Sequence, residues 1–322
     1  MKHLSPIRNA FLAVCVFFSA SAPSLALPAN LAHPILRDLA TGHAEDALNK
    51  LSSALALNPA DAQALELRCR VQIQERHWNH AIQSCQQAVK RAPDSSNAHL
   101  WLGRAYGGRA STAGRLVAFT LAVKVRGELV KAVQLDPHNI AAYAALGEYY
   151  VEAPSFLGGG LDRAQALAAR LQSFAPADAH TLLAEIAESR KNYPLAVKEW
   201  KTAVETSPQP AEAWMELASF YRRRGRFDDM LKAAETGAAL DKEHGAPLAY
   251  GAEILIRAHR NLPEAEHWLL DYLASSSQSE DAPAFVVRAK LAQLLLREGR
   301  NAEAQQQIAA SRALAPGYSP HA

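Results

Sequence analysis

The sequence lacks the constellations that announce most enzymes. It has no Gly-x-Ser-x-Gly nucleophile elbow and no Cys-x2-Cys pair of the kind that marks zinc or redox sites. Its only triple-glycine run, Gly158-Gly159-Gly160, is not followed by Lys-Ser/Thr, so it reads as a tight positive-φ turn and not as a phosphate cradle. The twelve histidines are scattered. His77 and His80, three apart beside Trp78, read as a solvated turn. Glu148 and Glu152 share a helix face and read first as a solvated or groove-lining pair. No catalytic residue, cofactor or metal is therefore expected.

An excess of one charge is missing too. Lys+Arg number 34 against Asp+Glu 32, a formal net charge of +2, which disfavours nucleic acid as a partner. The run Arg222-Arg223-Arg224-Gly225-Arg226 reads as a helix end where cations complement the dipole. Cysteine is scarce, three in 322 residues. Long apolar runs are also lacking: the stretch Ala10–Ala22 falls short of the ~20 residues a membrane-spanning helix needs. With Lys2 and Arg8 before it and Ser24-x-Ala26 after it, it reads as a signal peptide over 1–26, and a mature chain beginning near Leu27 has no stable membrane span. Leu12-Ala13-Val14-Cys15 departs from a lipoprotein box, with Val where a small residue belongs.

What is present is a period. Pro59 and Pro93 lie 34 residues apart, as do Pro208 and Lys242, and this is the period of a helix–turn–helix solenoid. The same letters recur in phase: His99-x2-Leu102-Gly103-x2-Tyr106, Tyr143-x2-Leu146-Gly147-x2-Tyr150 and Trp214-x2-Leu217-Ala218-x2-Tyr221 on first helices, Ala81-x3-Cys85-x2-Ala88 and Ala196-x3-Trp200-x2-Ala203 on second helices. Small residues suit the close approach of paired helices, and the residue before each proline disfavours continued helix.

These residues resemble the tetratricopeptide repeat (TPR) family. The resemblance implies an all-α, right-handed superhelical solenoid of antiparallel helix pairs, with first helices lining its concave side. About eight hairpins are expected over 27–316, in units 28–61, 62–95, 96–139, 140–176, 177–210, 211–244, 245–279 and 280–316, followed by a flexible tail over 317–322. The segment from Tyr149 to Gly160 resembles exported bacterial TPR proteins of unassigned function.

Two units exceed the period, with insertions near 107–117 and 152–161. Gly107-Gly108 is expected to end an opening helix before a long helix from Arg115 to Val133. Both insertions fall at the same turn of adjacent units, so Leu116 and Phe119 are expected to pack on Phe156 and Leu157 as a knob. Left open, that apolar stripe would be a partner site. Cys69 and Cys85 face each other across one hairpin, either as a disulfide or as two buried thiols. Polar residues off the core stripe give a candidate groove of Arg70, Gln74, Arg104, Glu148, Glu152, Glu185, Glu188, Arg222 and Arg223, acidic in units four to six with a basic end. The reading against it is a surface that merely solubilises the array.

The sequence thus points to an exported, periplasmic or secreted, non-catalytic scaffold that binds a protein or peptide. An envelope assembly factor for outer-membrane or cytochrome maturation is the alternative within binding. An enzyme or metal protein using the insertion edge is the alternative outside it.

Overall fold

The computed structural model describes residues 27–319, so the signal-peptide reading of 1–26 lies outside the described residues. Among these, sixteen α-helices and no strand are present, paired as eight consecutive hairpins. They are α1 (Ala29–Thr41) with α2 (Ala44–Leu57), α3 (Ala62–Gln74) with α4 (Trp78–Arg91), α5 (Ser96–Ser111) with α6 (Arg115–Leu135), and α7 (Ile140–Glu152) with α8 (Leu161–Leu171). Then follow α9 (Pro176–Ser189) with α10 (Tyr193–Thr206), α11 (Pro210–Arg223) with α12 (Phe227–Leu240), α13 (Ala246–Ala258) with α14 (Leu262–Ala274), and α15 (Ala284–Arg297) with α16 (Asn301–Leu314). None of these helices is long and apolar enough to cross a membrane.

Local chemistry sets the boundaries. After the second helices, Pro59, Pro93 and Pro137 end the helical run, and two residues further on Asp61, Ser95 and Asn139 cap the next helix by accepting from the amides of Ala64, Ala98 and Ala142. Within hairpins the turn passes through the left-handed region at Gly42, Arg76, Lys191, Gly225 and Gly299. The turn is thus one geometry filled by different residues.

Close approach explains the small residues. A Cβ on Gly103 would lie 2.9 Å from Leu129 of α6 in its own hairpin, whereas one on Gly147 would lie 2.9 Å from Leu182 of α9 in the next hairpin. Gly107 and Gly108 do not end a helix: α5 runs through both to Ser111. The reason is packing, since a Cβ on Gly108 would come within 2.2 Å of the Trp78 ring. These glycines lower helix propensity but let α5 lie against the start of α4.

The array closes on itself. Phe285 and Ala315 of the eighth hairpin belong to one hydrophobic cluster with Ile35, Leu39 and Leu51 of the first. Gly42 touches the Pro283–Ala284 backbone so closely that an added Cβ would lie 2.5 Å from the Ala284 nitrogen. The Ser275–Pro283 connection reaches the second hairpin, where Arg70 pairs with Glu280 and Gln74 donates to the carbonyls of Leu39 and Glu280. The segment after α16 is seated as well and does not hang free through 317 and 318: His77 Nε2 lies 2.8 Å from the Gly317 carbonyl, and Tyr318 meets Phe285 edge-on at 4.9 Å. Eight hairpins therefore form a ring.

The two edges of that ring differ in charge. Five of the eight intrahairpin turns carry Arg or Lys (Arg76; Arg190 and Lys191; Arg224 and Arg226; Arg260; Arg300), whereas connections between hairpins carry acids such as Asp61, Asp94, Asp136, Asp241 and Glu280.

Candidate functional site

The ring holds an open cavity of about 1030 Å³, lined chiefly by α7, α9 and α11 together with Arg104 and Asp281. The spacing of the first helices builds it. Glu148 and Glu152, Glu185 and Glu188, and Glu212 and Glu216 each recur at three or four residues along a helix face that the core does not use, so successive helices set their carboxylates side by side.

Electrostatics follow from that convergence. Burial, reinforced by the neighbouring Glu148 and Glu216 carboxylates, pushes Glu185 up to about 8. Burial likewise raises Glu148, with Glu152 adding to it and Arg104 opposing it, and burial raises Glu212, Glu216 and Asp178. Glu148 and Glu216 are open to the cavity's water yet ringed by protein. Arg104, whose guanidinium lies 4.5 Å from the centre of the Trp101 ring, is lowered by burial but stays cationic at neutral pH and offsets part of this field. Net negative potential fills the cavity.

The expected groove residues separate into four groups. Glu148, Glu152, Glu185, Glu188 and Arg104 line the cavity. Arg70 and Gln74 are spent on ring closure, so they are not available to a partner there. Arg223 lines the cavity, but its guanidinium is held by Glu188, with Nη2 2.8 Å from Oε2, and by Ser219. Arg222 is not among the lining residues. The basic end expected beside the acidic stretch is therefore neutralised at Arg223 and absent from the cavity at Arg222. Glu212, Glu216, Asp178 and Asp281 complete the acidic wall. Glu212 and Glu216 were legible as an i, i+4 pair, whereas Asp281 arrives from a connection more than fifty residues beyond the last helix of the wall it completes.

The remaining candidates lie elsewhere. Cys69 and Cys85 form a disulfide joining α3 to α4, with Cα atoms 5.4 Å apart. Phe119 and Phe156 stack at 6.2 Å, so the two insertions do meet, but they do not bury one another. Leu116 is 88% exposed, Phe156 74% and Phe119 50%, while Leu157 is partly covered and its carbonyl accepts from the Tyr149 hydroxyl at 2.9 Å. Truncating Phe156 therefore removes no core contact of the size its burial would have implied.

Among the described residues no group of three His, Cys, Asp or Glu is placed to hold a metal ion. What the arrangement can do is hold positive charge. A tetratricopeptide-repeat family model matches residues 192–247, which is α10 through the start of α13. Yeast Tom70 superposes with a TM-score of 0.56 at 17% identity, over 91% of this chain and 62% of Tom70. The chain is a TPR-like helical repeat protein. A thermophilic TPR protein of Thermus thermophilus is 22% identical over 63% of this chain and 97% of its own, with a TM-score of 0.49. A tetratricopeptide repeat protein of Parabacteroides merdae is 13% identical over 83% of this chain and 98% of its own, with a TM-score of 0.47. No curated protein matches. A TPR array is a scaffold typical of protein-interaction modules and generally non-catalytic.

The acidic wall carries a measurable cost. Between the ordinary value of 4.5 and about 8, the folded chain holds a proton on Glu185 that the unfolded chain has released. Stability is therefore lost as pH rises through that window, and below it the group contributes nothing. Water in the open cavity screens the repulsion, so Glu185→Gln is expected to stabilise by about 1–2 kcal/mol at pH 8 and by nothing at pH 4. Denaturant titrations at the two pH values check this.

Proposed function

We propose that the protein is an exported, non-catalytic scaffold of the cell envelope whose cavity takes a basic segment of a partner protein. The observation that carries the reading is the convergence of Glu148, Glu185, Glu212 and Glu216 on one concave space whose arginines are few and, at Arg223, already paired. A Lys- or Arg-bearing segment would neutralise carboxylates that now raise one another. Because Glu185 must lose its proton to meet such a cation, affinity is expected to rise with pH towards 8. Export is supported by the charged and apolar pattern of residues 1–26 and by a disulfide suited to an oxidising compartment.

Crosslinking and capture from the native envelope fraction identify the partner. Glu148→Lys with Glu185→Lys is then expected to slow association about tenfold at low salt and to flatten its salt dependence, since charge acts mainly on the rate of encounter. Unchanged association in that double variant, with the fold retained by circular dichroism, would remove the cavity from the account.

A further inference from the structure

The first two turns of α6 overhang the ring at the intrahairpin-turn edge. Leu116, Val117, Phe119 and Val123 are all about half exposed or more, and Phe156 from the neighbouring turn joins them. An apolar patch of this kind on a ring whose core is otherwise complete marks an interaction surface. The tip is a helix end with one stacked ring beside it, and Leu116 and Phe156 stand 88% and 74% exposed.

Its charges decide what it fits. From Ser95 to Gly127 there is no Asp or Glu, while Arg109, Arg115 and Lys124 flank the patch in sequence and Arg126 packs against Gly158 of the neighbouring turn with its Nε buried. Arg109 bonds only the neutral Asn79 and Thr112, and Lys124 lies 5.3 Å from the centre of the Tyr106 ring. Among the described residues none of these four has a carboxylate within ion-pairing distance. The acids nearest in sequence are engaged elsewhere: Glu128 bonds His99 at 2.6 Å, Glu152 lines the cavity, and Asp162 lies 3.9 Å from Arg190.

We propose that this tip docks the ring onto an anionic phospholipid surface, with Leu116, Phe119 and Phe156 entering the acyl boundary and Arg109, Arg115 and Lys124 meeting the headgroups. Leu and Phe flanked by Arg and Lys at a helix end are what interfacial binding requires. A second copy fits less well, because pairing two tips would set Arg115 and Lys124 against their own images with no carboxylate between them, a like-charge juxtaposition. The turns of the other hairpins, which carry Arg76, Arg190 and Arg260 on the same edge, extend positive charge away from the tip, while the acidic connections lie on the opposite edge.

The test is flotation of the full chain with vesicles of phosphatidylglycerol and phosphatidylethanolamine in equal amounts, against vesicles of phosphatidylcholine. Leu116→Ser with Phe119→Ser is expected to lower partition onto the anionic vesicles about tenfold or more. Arg115→Glu with Lys124→Glu is expected to lower it on those vesicles and leave the phosphatidylcholine value unchanged. These side chains are exposed, so circular dichroism should show the fold intact in both. If residues 1–26 also touch lipid, attachments on one chain multiply, and loss of the tip still lowers partition. Equal partition of wild type and the Leu116→Ser, Phe119→Ser variant would overturn the proposal. So would a wild-type dimer in sedimentation velocity that the same variant dissolves, which would assign the patch to a second copy.

Discussion

Phe285→Ala is expected to lower stability by about 3–5 kcal/mol, as truncation of a fully buried aromatic does, and also to open the ring. Phe285 has no exposed surface and stands in the cluster that holds Ile35, Leu39 and Leu51. Tyr318 covers one side of its ring, and its carbonyl accepts from the Ser311 hydroxyl at 2.7 Å. The same side chain therefore belongs both to the eighth hairpin and to the seam. Phe220→Ala is the control, since Phe220 is equally buried but packs between neighbouring hairpins against Trp200 and Tyr221. Both variants should shift the denaturation midpoint, whereas only Phe285→Ala should enlarge the radius of gyration measured by small-angle scattering under native conditions. Equal radii for the two variants would show that the Arg70–Glu280 pair, the Gln74 bonds and the Gly42 contact hold the seam unaided.

Closure also explains which parts of the molecule were legible in the sequence. A repeat encodes contacts between neighbours, so the 34-residue phase located each hairpin, the Pro-then-cap connections and the core letters Leu102, Tyr143 and Trp200. Whether eight units meet end to end depends on the small rotation between successive hairpins, summed around the array. No local pattern records that sum. Arg70 and Gln74 therefore read as groove residues, although Glu280, which both of them bind, lies more than 200 residues away in sequence. Asp281 was invisible as a cavity residue for the same reason. The acidic wall, by contrast, was largely readable, because Glu148, Glu152, Glu185 and Glu188 recur off the core stripe of consecutive first helices. Two further departures are local. Gly107 and Gly108 looked like breakers because low propensity was weighed without the Trp78 ring that needs their space. The insertions were expected to bury each other, but α6 carries Leu116 beyond the reach of Phe156, and one stacked pair of rings is all that forms.

Closure and acidity act against each other in a way that bears on function. Carboxylates crowding one cavity repel, and the ring holds them together because its seam sits elsewhere, at the α1, α3 and α15 junction. Opening the seam would relax the wall, so a cationic segment that neutralises it should also favour the closed ring. Partner binding and closure are then linked: whatever binds only the closed form stabilises it by mass action.

Reduction of the Cys69–Cys85 bridge is expected to cost about 2–4 kcal/mol, through the entropy the cross-link removes from the unfolded chain. Its closed loop is short, spanning 16 residues in sequence, which places it near 3 kcal/mol on the chain-entropy scale. The effect should exceed that of a local contact because the bridged helices sit beside the seam. Arg70 follows Cys69 directly and pairs with Glu280, and Gln74 lies one turn further along α3. Loosening α3 against α4 therefore loosens the surface on which the ring closes. Denaturant titration with and without reductant measures the cost, and scattering of the reduced native protein shows whether the ring opens with it. The bridge itself is checked by alkylating the unfolded, unreduced chain and mapping the label: Cys69 and Cys85 should stay unlabelled, and Cys15 should react wherever residues 1–26 are retained. Label on both Cys69 and Cys85 would establish two free thiols, and reductant would then leave the titration midpoint unchanged.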